Sequence, residues 1–195
     1  MARFIVIEGL DGAGTTTQCD RLTAHLANPL RTFQPSDLPI GRMIRQTLNR
    51  NADAPNRTIL PWMFAADRAD HLERQIRPAL ADGRDVVCDR YVPSSLAYQA
   101  LEIPMDEVWQ LNASFEAPHL TVFIDVPVEV AVDRISGRGQ ATEVYEKAEL
   151  LKRIHANYEH ALERLTARGD AIVRVDGTQP IDTVFANILT ALGAL

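Results

Sequence analysis

The stretch "FIVIEGLDGAGTTTQ", residues 4–18, decides the fold. Its first half is apolar and β-branched and reads as a buried strand. Its second half approaches the phosphate-binding pattern G-x-x-x-x-G-K-[ST]. Gly9 and Gly14 stand at the two glycine positions, Thr16 stands where a metal-binding hydroxyl belongs, and Thr15 replaces the lysine. A helix from about Thr16 to Ala27 follows, with Pro29 beyond its end. A loop so placed aims the backbone of Gly9, Leu10, Asp11, Gly12, Ala13, Gly14, Thr15, Thr16 and Thr17 at phosphate oxygens, aided by the helix amino terminus. A Gly-rich turn opening any α/β domain has the same local look.

The missing lysine matters physically. Losing one such electrostatic contact costs on the order of 10²–10³ in rate. Either another cation substitutes, or turnover is slow, or the site only binds. Thr16 Oγ1 is the candidate ligand for Mg²⁺; a helix N-terminal threonine satisfying a backbone donor is the plainer reading. Thr17 has no distinct role. Asp11 is out of place in an anion-binding loop unless it faces a hydroxyl of a second substrate; otherwise it is a turn-favouring aspartate.

Outward from this loop, apolar strands alternate with helices. "RTFQP" reads as a short strand, and Pro39 starts a helix reaching about Arg50. A long helix is expected from Thr58 to Leu80, with Pro61 in its first turn and Pro78 bending or ending it. Strands follow at 85–89, 120–126 and in "AIVRVDG"; helices are expected at 105–116, after Pro127, at 142–168 and at 180–193, and "PSSLAYQALE" is a short helix or loop. "SGRGQAT" reads as a polar loop. Such alternation is the signature of a parallel sheet covered on both faces. Ligands then bind at the carboxyl ends of the strands, where Glu8, Asp89 and Asp125 fall.

The chain of 195 residues is expected to form one domain, 1–195. Its net charge of −6 argues against a nucleic-acid polymer as partner. No apolar run approaches the roughly 18–20 residues of a membrane span, and the opening "MARFIVIEG" lacks the parts of a signal peptide, so the cytoplasm is the expected location. Cys19 and Cys88 stand in no metal-binding spacing, and Cys88 reads as a small core residue. The only lysines are Lys147 and Lys152.

A second motif, "VVCDRYVPSSLAYQ" at residues 86–99, sharpens the reading. An aspartate at a strand end is the usual metal partner of a phosphate-binding loop, and Asp89 fits that place. Arg90 follows and can fork onto phosphate oxygens. With this stretch in view the chain resembles the thymidylate kinases. "FIVIEGLDGAG", "FAADRADHLERQIRPAL", "DRYVPSSLAYQ" and "DVPVEVAVDRI" carry that resemblance in the right order over nearly the whole chain.

The resemblance implies a three-layer P-loop NTPase fold: a five-stranded parallel sheet flanked by helices, with the loop at 9–16 and a short lid at about 136–146. It implies phosphoryl transfer from ATP to dTMP with Mg²⁺ held by Thr16 and Asp89, and a homodimer. By analogy Phe64 stacks on thymine and Arg68 contacts the base or its phosphate; their i, i+4 spacing puts both on one helix face. A core Phe64 and an ion-paired Arg68 remain the alternatives. Ser94 and Gln99 would line the base pocket, Tyr98 would pack there, Asp11 would sit near the 3′-hydroxyl, and Tyr145 near the base or sugar. "FQP" at 33–35 departs from the common Arg-Glu-Pro, and Arg45 is carried over as an acceptor-phosphate contact. Gly12 marks the style in which the lid supplies the basic residues, here Arg134 and Arg138. With Arg90 these would carry the charge that lysine usually carries. The rival readings are a kinase of another nucleoside monophosphate and a nucleotide binder with weak or no turnover.

Overall fold

The computed structural model describes residues 2–49, 55–136 and 141–194, with no side chains given for 136 and 141–146. Five strands form one sheet: β1 (Phe4–Gly9), β2 (Leu30–Phe33), β3 (Val86–Asp89), β4 (Leu120–Asp125) and β5 (Ile172–Asp176). All pair in parallel, in the order β2-β3-β1-β4-β5. The three central strands are apolar because helices cover both faces, so alternation with polar residues would bury polar groups. Every residue of β1 is buried.

The helices are α1 (Thr15–His25), α2 (Pro39–Leu48), α3 (Leu60–His71), α4 (Arg77–Ala81), α5 (Val92–Tyr98), α6 (Met105–Asn112), α7 (Val128–Ser136), α8 (Ala141–Arg168) and α9 (Ile181–Gly193). One layer packs Cys19, Leu22, Val184 and Ile188 with Ile5, Ile7 and Val87 of the sheet. The other packs Leu72, Ile76 and Val108 with Phe4, Val6, Val86 and Cys88. Successive β1 side chains thus serve opposite layers, the period of a strand.

Two boundaries differ from the sequence reading. The long helix does not stop at Pro78 but runs on to Ala81. α3 passes into α4 through a π turn at Leu72–Ile76, in which the Arg77 N–H donates to the Leu72 carbonyl. A proline ring collides with the carbonyl four residues back, and the wider turn before it gives the ring room. The helix expected at 105–116 ends at Asn112. Asn112 turns its amide Nδ2 onto the Val108 carbonyl at 2.7 Å, and its Oδ1 accepts from Arg68; Pro118 lies just beyond.

β1 and β3 are clamped at the sheet edge remote from the phosphate-binding loop. Asp85 accepts three hydrogen bonds from Arg3: its N–H at 2.7 Å, Nε at 3.4 Å and Nη2 at 2.7 Å. Burial pushes the Asp85 carboxyl up, but the Arg3 bonds outweigh it and hold it below its ordinary 3.8. The unfolded chain therefore takes up this proton first, and the stabilisation present above pH 3.8 is lost as the pH falls through the lower folded-state value. Asp85→Asn is expected to cost about 1 kcal/mol near neutral pH. The gap from wild type should narrow on acidification through 3.8, as read by urea unfolding. A gap independent of pH would contradict this account.

Candidate active site

The loop between β1 and α1 is shaped by glycines in left-handed conformations. Gly12 has φ +85°, and a Cβ there would meet the Ala131 carbonyl oxygen of α7 at 2.6 Å. Gly14, at φ +97°, is the residue before α1. These left-handed conformations turn the chain around a cavity of about 590 Å³ lined by Leu10, Asp11, Gly12, Gly14, Thr15, Thr16 and Thr17, together with Arg31, Phe33, Gln34, Asp89 and Arg90. Gly9, which ends β1, and Ala13 are buried and do not line it. Thr15 is 7% exposed, and its methyl turns toward Gly9.

Thr16 Oγ1 donates to Asp89 Oδ2 at 2.7 Å, joining the loop to the end of β3. The other carboxylate oxygen, Asp89 Oδ1, is buried and has no partner. A hydroxyl and a carboxylate with spare acceptor capacity suit a hard divalent cation that keeps several waters and takes its remaining ligands from substrate phosphates. These two residues therefore fit Mg²⁺. No described cluster of three or more His, Cys, Asp or Glu suggests a metal cage formed by the protein alone.

Beside this cradle lies a second cavity of about 760 Å³. Phe64, Arg68, Ser94, Tyr98 and Gln99 line it, with Tyr91 and Ser95. The two cavities share Asp11, Gln34 and Arg90. Arg90 sits at that junction with φ +71°, a conformation costly for a side chain with a Cβ. Its Nη2 donates to Asp11 Oδ1 at 2.7 Å, and its Nη1 to Ser94 Oγ at 3.0 Å and Tyr158 Oη at 3.1 Å. The guanidinium lies 5.1 Å from the Tyr98 ring centroid. Burial works against this charge, but Tyr158, Tyr98, Asp11 and Glu8 around it outweigh that and raise its pKa.

Beneath Arg90 is a buried carboxylate. Glu8 Oε1 accepts from the Tyr91 N–H at 2.6 Å and the Ser94 N–H at 3.3 Å, and Oε2 from Ser94 Oγ at 2.6 Å and Tyr158 Oη at 3.0 Å. Burial pushes the Glu8 carboxyl up, against the pull of Arg90 and of these bonds.

Two comparisons bear on what such a pair of cavities belongs to. The family model described as Thymidylate kinase matches residues 7–188. Among curated proteins, a thymidylate kinase of Alkalilimnicola ehrlichii is 37% identical over 207 aligned positions, covering 98% of this chain and 93% of its own. One of Desulfotalea psychrophila is 38% identical over 159 positions, covering 78% of each chain. The chain belongs to the thymidylate kinase family.

In this family member Arg68 is wholly buried. Its Nε donates to Gln34 Oε1 at 3.0 Å, Nη1 to Asn112 Oδ1, and Nη2 to Ser95 Oγ at 2.8 Å and the Tyr91 carbonyl at 3.0 Å. The acceptors are all neutral, so the ion pair weighed from sequence is not what holds it. Burial lowers its pKa. Tyr98 Oη and Gln99 Oε1 are buried beside the cavity without partners, and burial pushes the Tyr98 hydroxyl up to about 12. Arg45 lines neither cavity: it donates to the Pro35 carbonyl at 2.6 Å and Asp37 Oδ1 at 2.7 Å, 5.7 Å from the Phe33 ring. Arg134 donates from α7 to the Gly177 carbonyl at 2.9 Å and to the loop carbonyls of Gly12 at 3.3 Å and Ala13 at 3.4 Å. Arg138 lies outside the described residues, as do the Tyr145 side chain and much of the 136–146 segment.

Sequence reasoning assigned no role to Glu8, Arg31, Gln34, Ser95, Asn112 or Tyr158. Glu8 carried a signal, a carboxylate closing an apolar strand run. Tyr158, far along α8, carried none. Glu8→Ala would strand the donors of Tyr91, Ser94 and Tyr158 in a buried site. The expected cost is about 2–4 kcal/mol, seen as a fall of roughly 5–15 °C in Tm. Glu8→Gln, which keeps an acceptor, should lose less. An unchanged melting curve for Glu8→Ala would refute the anchoring role.

Proposed function

We propose that the chain transfers the γ-phosphoryl group of ATP to dTMP, giving dTDP and ADP. The observation that carries this reading is the meeting of two cavities at Asp11, Gln34 and Arg90. A phosphate cradle on one side and an aromatic, amide-lined pocket on the other would bring donor and acceptor phosphates together at one arginine. The acceptor is already an oxyanion, so no general base is required. Catalysis then reduces to positioning and charge neutralisation.

The residues take these roles. The backbone of 9–17 cradles the donor phosphates. Thr16 and Asp89 hold Mg²⁺, which when bound offsets the phosphate charge. Arg90, with Arg134 and Arg138, stabilises the phosphoryl group in transit; an arginine acting this way is worth about 10³–10⁵. Phe64 stacks on the base, Arg68 contacts the base or its phosphate, Ser94 and Gln99 line the base pocket with Tyr98 packed there, and Asp11 faces the 3′-hydroxyl of the sugar. Arg45 and Tyr145 are carried as outer contacts of the acceptor. We place the protein in the cytoplasm as a homodimer paired through helices; the exposed Ile59, just before α3, and Trp62, in its first turn, supply apolar surface. No described helix is long and apolar enough to cross a membrane.

Steady-state ADP formation tests the reading. With Mg-ATP the wild type should turn over on the order of 1–100 per second, dependent on dTMP and abolished by chelating the divalent cation. Arg134→Ala and Arg138→Ala should each lower kcat at least tenfold; if neither does, the charge assignment fails. Thr15 favours one second reading, a nucleotide binder with little turnover. Background activity in the wild type that Thr15→Lys restores would establish that alternative.

A further inference from the structure

We propose that Arg31 is the cation that stands in for the absent loop lysine, reaching the outer phosphates of the nucleotide from β2 instead of from the loop. This rests on the reading of the cradle as an ATP site.

Among the described residues, the cations lining the cradle are Arg31 and Arg90. Arg90 is committed at the junction by Asp11, Ser94 and Tyr158. Arg134, proposed above to act on the phosphoryl group in transit, here donates to loop carbonyls and is not part of the lining, so it does not supply a resting contact to the outer phosphates. Arg31 is differently held. In the β2–β3 ladder it stands opposite Val87, two residues short of Asp89, so its side chain runs along the strand to the carboxyl edge. There Nε is fixed by Asp20 of α1 at 3.0 Å and Nη1 by the Thr32 carbonyl. Nη2 reaches Asp89 Oδ2 at only 3.4 Å, on an oxygen that already accepts the Thr16 hydroxyl at 2.7 Å.

The guanidinium is thus anchored at its rear and loosely held at its front. The front faces the Thr16–Asp89 pair, in a cavity that Thr15 also lines. A contact of 3.4 Å is at the weak end of hydrogen bonding. The contact with Asp89 is an ion pair, but a long one on a shared oxygen; a phosphate oxygen offers a shorter charge-assisted bond, and arginine's planar fork suits it. Arg31 and position 15, where the usual loop has its lysine, line the same cradle.

Holding Asp89 in place is the competing role for Arg31, and rescue by a lysine at position 15 separates the two. The proteins to compare are wild type, Arg31→Met, Arg31→Lys, Thr15→Lys and the double variant Thr15→Lys/Arg31→Met. The readouts are Mg-ATP binding by calorimetry without acceptor, and ADP formation with dTMP, on variants whose thermal melts match wild type. Arg31→Met should lower kcat/KM for ATP by about 10²–10³ while leaving KM for dTMP within threefold. Arg31→Lys should lose less. Thr15→Lys should recover at least tenfold of the Arg31→Met loss, and raise the rate more in that background than in wild type.

Arg31→Met within threefold of wild type overturns the proposal. So does a loss that Thr15→Lys fails to repair, which would make Arg31 a support for Asp89. If the wild type makes no ADP with dTMP, the kinase reading fails on its own, and binding decides the role of Arg31. A tenfold weaker Mg-ATP affinity in Arg31→Met, reversed by Thr15→Lys, supports it; unchanged affinity overturns it.

Discussion

The polar half of this site hangs on one buried carboxylate. Glu8 closes the central strand of the sheet, where a charge is expensive unless every lone pair is used. It is used fully: two backbone N–H groups and two hydroxyls converge on it. Those partners belong to the start of α5 and the middle of α8, so one side chain ties three elements together. Tyr158 and Ser94 then hand the constraint on to Arg90, which is kept in a left-handed backbone conformation between the two cavities. Satisfied buried networks of this kind specify a single arrangement.

A second device sets the other wall. Arg68 is surrounded by oxygen atoms of amides, a hydroxyl and a backbone carbonyl, and by the rings of Tyr91 at 5.0 Å and Phe115 at 5.6 Å. None of these cancels its charge. Gln34 is one of those neutral acceptors; a glutamate in its place would put a carboxylate against the guanidinium.

Much of this was legible in the sequence. The apolar runs around Val6, Cys88 and Val122 marked the parallel sheet, because strands buried on both faces have no polar alternation. Gly9, Gly12 and Gly14 marked the loop, and Asp89-Arg90 marked the strand end opposite it. What stayed hidden needed the third dimension. Tyr158 meets Glu8 across 150 positions of sequence, and nothing local to α8 advertises it. Arg31 sits in a short strand whose pairing partner decides which neighbours its side chain meets. The π turn before Pro78 was hidden too, since a proline in a helical pattern announces a disturbance without saying which kind.

The substitution at position 15 also changes the covalent chemistry of the cradle. Among the described residues no primary amine lines it: the cations there are guanidinium groups, which stay protonated at neutral pH and are not nucleophiles. Aldehyde and active-ester reagents that trap a phosphate-binding lysine would find nothing to acylate or condense with there. Lys147, on the wall of the neighbouring cavity, is such a target, while reagents directed at arginine would meet the cradle itself. The loop of this family member thus has the reactivity of an arginine site within the architecture of a lysine one.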